Sequence, residues 1–282
     1  MKTSFCIVSL LLFLSCSDPT PVLPLAFQEF DGKVALVTPS GVVKIKLNQA
    51  VKWRSTGGQV TQDQNNMLTY AAPATSGMQQ VVIKHPDNPS DSLVLSIAVT
   101  PSAALFQLLR SGNNVLIFRH AAADVGSDQT ASVVPDWWKS CDSKLARQLN
   151  SQGLQDAATI GKTIKRLEIP IGRMLSSEFC RAFTTASQMA TGLTIQQTNG
   201  LTLTVYDEAN RCDNTLKLAA SQPRDTKNTI FITHTGIRVQ QPDCDLLNKL
   251  QWGDAALFTL NENKTTTYAG TIPVKDWTDL AQ

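Results

Sequence analysis

Between Phe27 and Val99 apolar and polar residues alternate in short runs, among them KVALVTP, VVKIKL, AVKWRS, QQVVIKH and SLVLSIAVT. A period of two sets one face of each run against a core and the other in water, as in half-buried strands. Turn-forming pieces (STGG, DQNN, HPDNPSD) separate the runs, and no convincing helical period intervenes. Residues 27–100 are therefore predicted to form a small all-β sandwich, with Trp53 in its core. At TPSAALFQLLRSGN the grammar changes, and from Ser102 helical periods alternate with short continuous apolar runs. AALFQLL reads as a helix and NVLIFRH as a strand. ARQLNSQGLQDAATIGKTIKRLEI reads as a long amphipathic helix whose apolar stripe is Leu154, Ala157, Ile160, Ile164 and Leu167. GRMLSSE is a strand entering a loop, CRAFTTASQMA a helix stopped by Gly192, NTIFITHTG a strand, and DAALFTLN with TTTYAGTI closing strands. Such alternation predicts that residues 102–282 form an α/β three-layer domain on a mainly parallel sheet, where ligands sit beyond the carboxyl ends of the strands.

Composition narrows the classes of function. The chain of 282 residues is 42% hydrophobic and 17% charged, which suits well-buried domains and argues against long disorder. Its formal net charge of +2, without a Lys/Arg-rich run, gives no electrostatic footprint for nucleic acid. The opening MKTSFCIVSLLLFLSCSD reads as a signal peptide over residues 1–16, ending at a lipoprotein-type cysteine, Cys16. A proline-rich linker follows over residues 17–26. The protein is expected to be exported and tethered by lipid to a bacterial membrane, on its periplasmic or cell-surface side. In an oxidising compartment Cys141, Cys180, Cys212 and Cys244 are expected to form two disulfides. Three pairings are open, and Cys141–Cys180 with Cys212–Cys244 is favoured. No pair has zinc-ligand spacing, so two disulfides are expected rather than a metal site.

Three strand ends carry side chains suited to phosphate. They are Arg119-His120 after VLIF, Arg181 after MLSSEFC, and His234 after TIFIT. The chain has only 3 histidines, and two of them occupy this position; His85 reads as a turn residue. Arginine supplies planar paired donors, and a neutral imidazole is a nucleophile near physiological pH. Trp137, Trp138 and Lys139 either line a substrate entrance or cover the sheet edge, and Trp252-Gly253-Asp254 reads as a structural turn.

These residues carry a resemblance. From about Asn114 to Thr259 the chain resembles the small branch of the histidine phosphatase (phosphoglycerate mutase-like) superfamily. The Arg-His-Ala after the first strand, LNSQGLQDAATIG, SSEFCRAFTTA and IFITHTG are similar to that family's motifs in order and spacing. The resemblance implies His120 as a nucleophile that forms a phosphohistidine, with Arg119, Arg181 and His234 binding phosphate, and without metal or cofactor. It also implies a carboxylate that protonates the leaving oxygen, at a position that varies among members; the candidates here are Asp124, Asp207 and Glu208, with Glu208 favoured and Asp207 the alternative. Where the family often has Glu-Thr soon after the first motif, this chain has Ala122-Ala123. The segment from Val51 to Val99 is similar to bacterial immunoglobulin-like modules in its Trp53, its Gly-Gly turn, its TYAAP stretch and its closing strand. The expected function is an exported phosphatase acting on a small phosphate monoester or an envelope phosphoglycan. The alternative is a catalytically inactive surface lipoprotein that binds phosphate or glycan.

Overall fold

The computed structural model describes residues 23–129, 134–202, 205–207, 209–235 and 242–282. The expected signal peptide with Cys16, the first part of the linker, and Glu208 lie outside these residues.

The first region forms two four-stranded sheets. One has the order β1-β3-β6-β5 and the other β2-β8-β7-β4, built from β1 (Phe27–Gln28), β2 (Ala35–Val37), β3 (Val42–Leu47), β4 (Lys52–Ser55), β5 (Gln59–Gln62), β6 (Met67–Ala71), β7 (Gly77–Lys84) and β8 (Ser92–Val99). Alternate residues from both sheets, including Ile45, Leu47, Leu68, Tyr70, Val81, Ile83, Leu95 and Ile97, meet in one buried cluster, which makes the pair a sandwich. Trp53 is a correction to the expected core. It pairs with the buried Ile83 but is 40% exposed, because β4 is an edge strand and one flank of the indole is left uncovered.

The second region is a three-layer α/β domain. Its six-stranded sheet has the order β11-β10-β12-β9-β13-β14. The strands are β9 (Asn114–Arg119), β10 (Ile171–Ser176), β11 (Ile195–Gln197), β12 (Asn228–Thr233), β13 (Ala255–Leu260) and β14 (Thr266–Ile272). The first four are parallel, and β13 and β14 close one edge antiparallel. On β9, Leu116 and Phe118 join one core with helices α1 (Ala103–Arg110), α2 (Ser151–Arg166), α3 (Cys180–Gln188) and the region of α6 (Val274–Thr278). Val115 and Ile117 face the other core with α4 (Arg211–Ala220) and α5 (Pro242–Asn248). Burial on both faces explains why VLIF is an uninterrupted apolar run.

Helix α2 differs from the periodic reading in its start and in its buried stripe. It starts at Ser151, because the Asn150 side chain caps it by accepting from the Gly153 N–H at 2.8 Å. Its buried stripe runs through Gly153, Ala157, Ile160 and Ile164, while Leu154 is 38% exposed. Gly153 takes the inward place because a Cβ there would collide with the Ala122 carbonyl, and only glycine lets α2 approach that closely.

The two regions share a seam. Val34, Leu36, Met78 and the buried Ala98 pack on the α/β core. Arg110, at the last turn of α1, donates from Nη1 to the Val34 carbonyl at 2.6 Å and from Nε to that of Leu167 at 2.9 Å. Among the described residues, no helix is long and apolar enough to cross a membrane.

Candidate active site

The central strands β9 and β12 are parallel neighbours, with Arg119 paired to Thr233, so the residues that follow each strand emerge side by side. These are His120 and His234, whose rings lie 5.1 Å apart edge to face and are both buried. Arg181 comes from the first turn of α3 and is 2% exposed. The structure thus gathers His120, His234 and Arg181 from positions separated by more than fifty residues in each step, with Arg119 at the end of the same strand as His120.

The hydrogen bonds define the state of the His120 ring. Nδ1 lies 2.8 Å from the Ala121 carbonyl, which can only accept, so Nδ1 carries the proton. Arg181 donates from Nε to His120 Nε2 at 3.2 Å, so the single lone pair of Nε2 accepts a hydrogen bond from a cation. Burial lowers the His120 pKa well below its ordinary value, and the Arg181 charge lowers it further, so the ring is neutral. The His234 pKa is lowered well below its usual range for the same reasons, burial first and Arg181 second. His234 Nε2 lies 2.9 Å from the Ser177 hydroxyl. Its Nδ1 is buried and unpartnered among the described residues, as is Arg119 Nε. The site therefore holds two buried nitrogens with unmet hydrogen-bonding capacity, a state proteins rarely leave without a reason.

The rest of the frame holds these groups in place. Thr185 Oγ1 accepts from the Ala121 N–H at 3.1 Å and donates to the Arg181 carbonyl at 2.8 Å, tying α3 to the His120 turn. The Arg119 guanidinium lies 5.4 Å from the centre of the Trp252 ring and donates to the Leu250 carbonyl at 3.0 Å. Gly253 donates its N–H to the Arg119 carbonyl, and the Asp254 carboxylate accepts from the N–H groups of Gln251 and Val274. The Trp252-Gly253-Asp254 turn thus has a structural part. Cys141 is bonded to Cys180 and Cys212 to Cys244, the favoured pairing. Among the described residues, Cys212, Asp213 and Cys244 form the one cluster of metal-ligand atoms, but its two sulfurs are joined and offer no thiolate.

Trp137, Trp138 and Lys139 lie along one largely aromatic wall. Trp137 packs edge-on to Phe179 at 5.7 Å, and Phe179 in turn packs against His234 at 4.9 Å and under the Arg181 guanidinium at 4.2 Å. Trp138 meets Tyr206 at 5.9 Å, and Lys139 pairs with Glu178 at 3.4 Å. The tryptophans also pack on the sheet core, as the covering reading expects. The candidate acids fare differently. Asp124 accepts from Asn150 Nδ2 at 3.0 Å. Asp207 is exposed, and hydrogen bonds from the Asn210 side chain, with others from Asn214, hold its pKa below the usual carboxylate value, which suits an anion rather than a proton donor.

Four further residues belong to the site. Ser177, Glu178 and Thr185 lie within SSEFCRAFTTA, so their spacing around Arg181 is a signal in the sequence. Asp128, which pairs with Arg181 at 3.0 Å, lies in the aperiodic stretch DVGSDQT and carries none.

No family model matches the chain, and no curated protein matches it. Among solved structures it is similar to the protein histidine phosphatase SixA complexed with tungstate, at 18% identity and a TM-score of 0.41 over 58% of this chain and 98% of that one. It is also similar to a phosphoserine phosphatase from Entamoeba histolytica in complex with 3-phosphoglyceric acid, at 10% identity and 0.40 over 58% and 98%. A mycobacterial glucosyl-3-phosphoglycerate phosphatase in complex with VO3 matches at 12% identity and 0.40 over 56% and 96%. Likeness at this level carries no argument about chemistry, which rests on the side chains described above.

Proposed function

We propose that this protein is an exported phosphatase that hydrolyses a phosphate monoester through a phosphohistidine on His120. The observation that carries the reading is the His120 ring, neutral and fixed by Nδ1, with Nε2 turned to the buried Arg181. In the first step the phosphoryl oxygens draw the Arg181 Nε–H off Nε2, the freed lone pair attacks phosphorus, the N–P bond forms and the ester P–O bond breaks, and the leaving oxygen takes the proton of the acid donor. In the second step water attacks the phosphohistidine, the N–P bond breaks, and inorganic phosphate leaves with the imidazole restored to its neutral form. Arg119 and Arg181 place positive charge where the phosphoryl oxygens accumulate negative charge, and His234 Nδ1 adds a donor. Glu208 is the proposed proton donor, on the strength of the family resemblance. The anionic, hydrogen-bonded state of Asp207 argues against Asp207 in that role.

The expected cellular setting follows from the signal peptide and Cys16. A lipid-tethered enzyme outside the cytoplasm meets small phosphate esters or phosphorylated envelope glycans rather than intracellular metabolites. The test is hydrolysis of an aryl phosphate, without added metal, by wild type and by His120→Ala. Activity that falls by roughly a thousandfold or more in the variant supports the covalent route. Activity that survives in His120→Ala overturns it.

A further inference from the structure

A single carboxylate joins two arginines beside the site. Asp128 Oδ1 accepts from Arg181 Nη1 at 3.0 Å and from the Arg147 backbone N–H at 2.9 Å. Its Oδ2 accepts from Arg147 Nε at 3.1 Å and lies 3.0 Å from Arg147 Nη2. The Arg181 fork is thereby divided. Nε lies on His120, Nη1 on Asp128, and the flat face against Phe179. A guanidinium on a long side chain has many rotamers, and fixing two of its nitrogens fixes its plane. The same loop is anchored a second time, because Cys141 is bonded to Cys180, the residue before Arg181.

We propose that Asp128 is a positioning residue for Arg181, clamping the guanidinium in the plane that serves His120 and the phosphoryl group, with Arg147 as the counter-cation that holds the clamp. The proposal rests on the phosphatase reading of the site. Asp128 acts through Arg181 rather than on the reacting atoms. The charged and titratable groups around His120 are Arg119 from β9, Arg181 from α3, His234 from the end of β12, and Arg147 with Asp128 from the loop before α2. Removing the anion and removing the cation change the potential at His120 in opposite senses. Asp128→Asn lets the ring stay neutral to lower pH, whereas Arg147→Met lets it protonate at higher pH.

The experiment measures kcat and KM for an aryl phosphate across about pH 4–8 on the full chain, together with calorimetry of inorganic phosphate binding. Asp128→Asn is expected to lower kcat about 10–100-fold with a smaller change in KM, and Asp128→Glu to recover part of that loss. The acid limb of kcat/KM moves down in Asp128→Asn and up in Arg147→Met. A kcat within about twofold of wild type in Asp128→Asn, or limbs that move together, overturns the proposal. If wild type proves inert the phosphatase reading falls instead, and calorimetry decides the clamp. About tenfold weaker phosphate binding by Asp128→Asn then upholds it, while equal binding, or none by wild type, overturns it. If Asp128→Asn does not fold, Arg147→Met, whose side chain is 38% exposed, carries the test. A reduced kcat with the limb moved up upholds the clamp, and an unchanged kcat overturns it.

Discussion

His120 and His234 are buried polar rings, and burial makes them neutral before any substrate arrives. The consequence reaches beyond catalysis. Each ring takes up a proton at lower pH in the folded chain than in the unfolded one, whose histidines titrate near about 6.5. The unfolded state therefore binds more protons as pH falls through that range, and stability falls with it. Stability is full above about pH 6.5 and is lost on the way down to the depressed native values. Between pH 7.5 and 5.5 the two rings together are expected to remove about 2–3 kcal/mol of unfolding free energy. Urea unfolding at both pH values checks this. The decline should shrink by that amount in a His120→Asn, His234→Asn double variant, and an unchanged decline sinks the argument. Arg119, His120, Arg181 and His234 were all legible in the sequence, because each follows an apolar run by a fixed short distance. Asp128 was not, since its part depends on where a loop folds back.

The elements that matter most are α3 and the loop before α2. The helix brings Arg181 to the site with its second residue, and the loop supplies Asp128, Arg147 and the two tryptophans of the aromatic wall. The Cys141–Cys180 bond closes a separation of 39 residues across these two elements. By loop-closure entropy such a cross-link is worth about 3–4 kcal/mol. The double variant Cys141→Ser, Cys180→Ser is expected to lose about that stability and to lower kcat more than Cys212→Ser, Cys244→Ser, because only the first pair adjoins Arg181. Matched denaturation curves and rates for the two double variants test this, and equal effects on kcat overturn the link to Arg181. The even count of cysteines, with export expected, indicated two bridges. Three connectivities satisfy the same count, and the fold holds the one that was favoured.

At the scale of the whole molecule, the sandwich and the α/β domain share apolar contacts rather than only a linker. Val34, Leu36, Met78 and Ala98 pack on the core that holds Phe106 and Trp277, and Arg110 bridges the carbonyls of Val34 and Leu167. Thermal unfolding of the full chain is therefore expected to be a single cooperative transition. Arg110→Met leaves two carbonyls at the seam without their donor and should cost about 1–3 kcal/mol, separating the transition of the sandwich from that of the α/β domain. Calorimetry that shows two transitions in wild type removes the idea of one cooperative unit.

Local order along the chain was determined by the sequence alone. A period of two up to Val99, a helical period after Ser102, continuous apolar runs for strands covered on both faces, and cations at strand ends all act within a few residues, where side-chain direction follows backbone geometry. The tertiary structure decided whatever depends on neighbours brought from elsewhere. Trp53 lies on an edge strand and is partly exposed, although its strand alternates like the others. Gly153 displaces Leu154 from the buried stripe because Ala122 packs against that face of α2. Asp128 reaches Arg181 only because the loop between β9 and α2 returns over α3. Periodicity records which side of an element is apolar, but not what lies beside it, and the arrangement around His120 is a property of those neighbours.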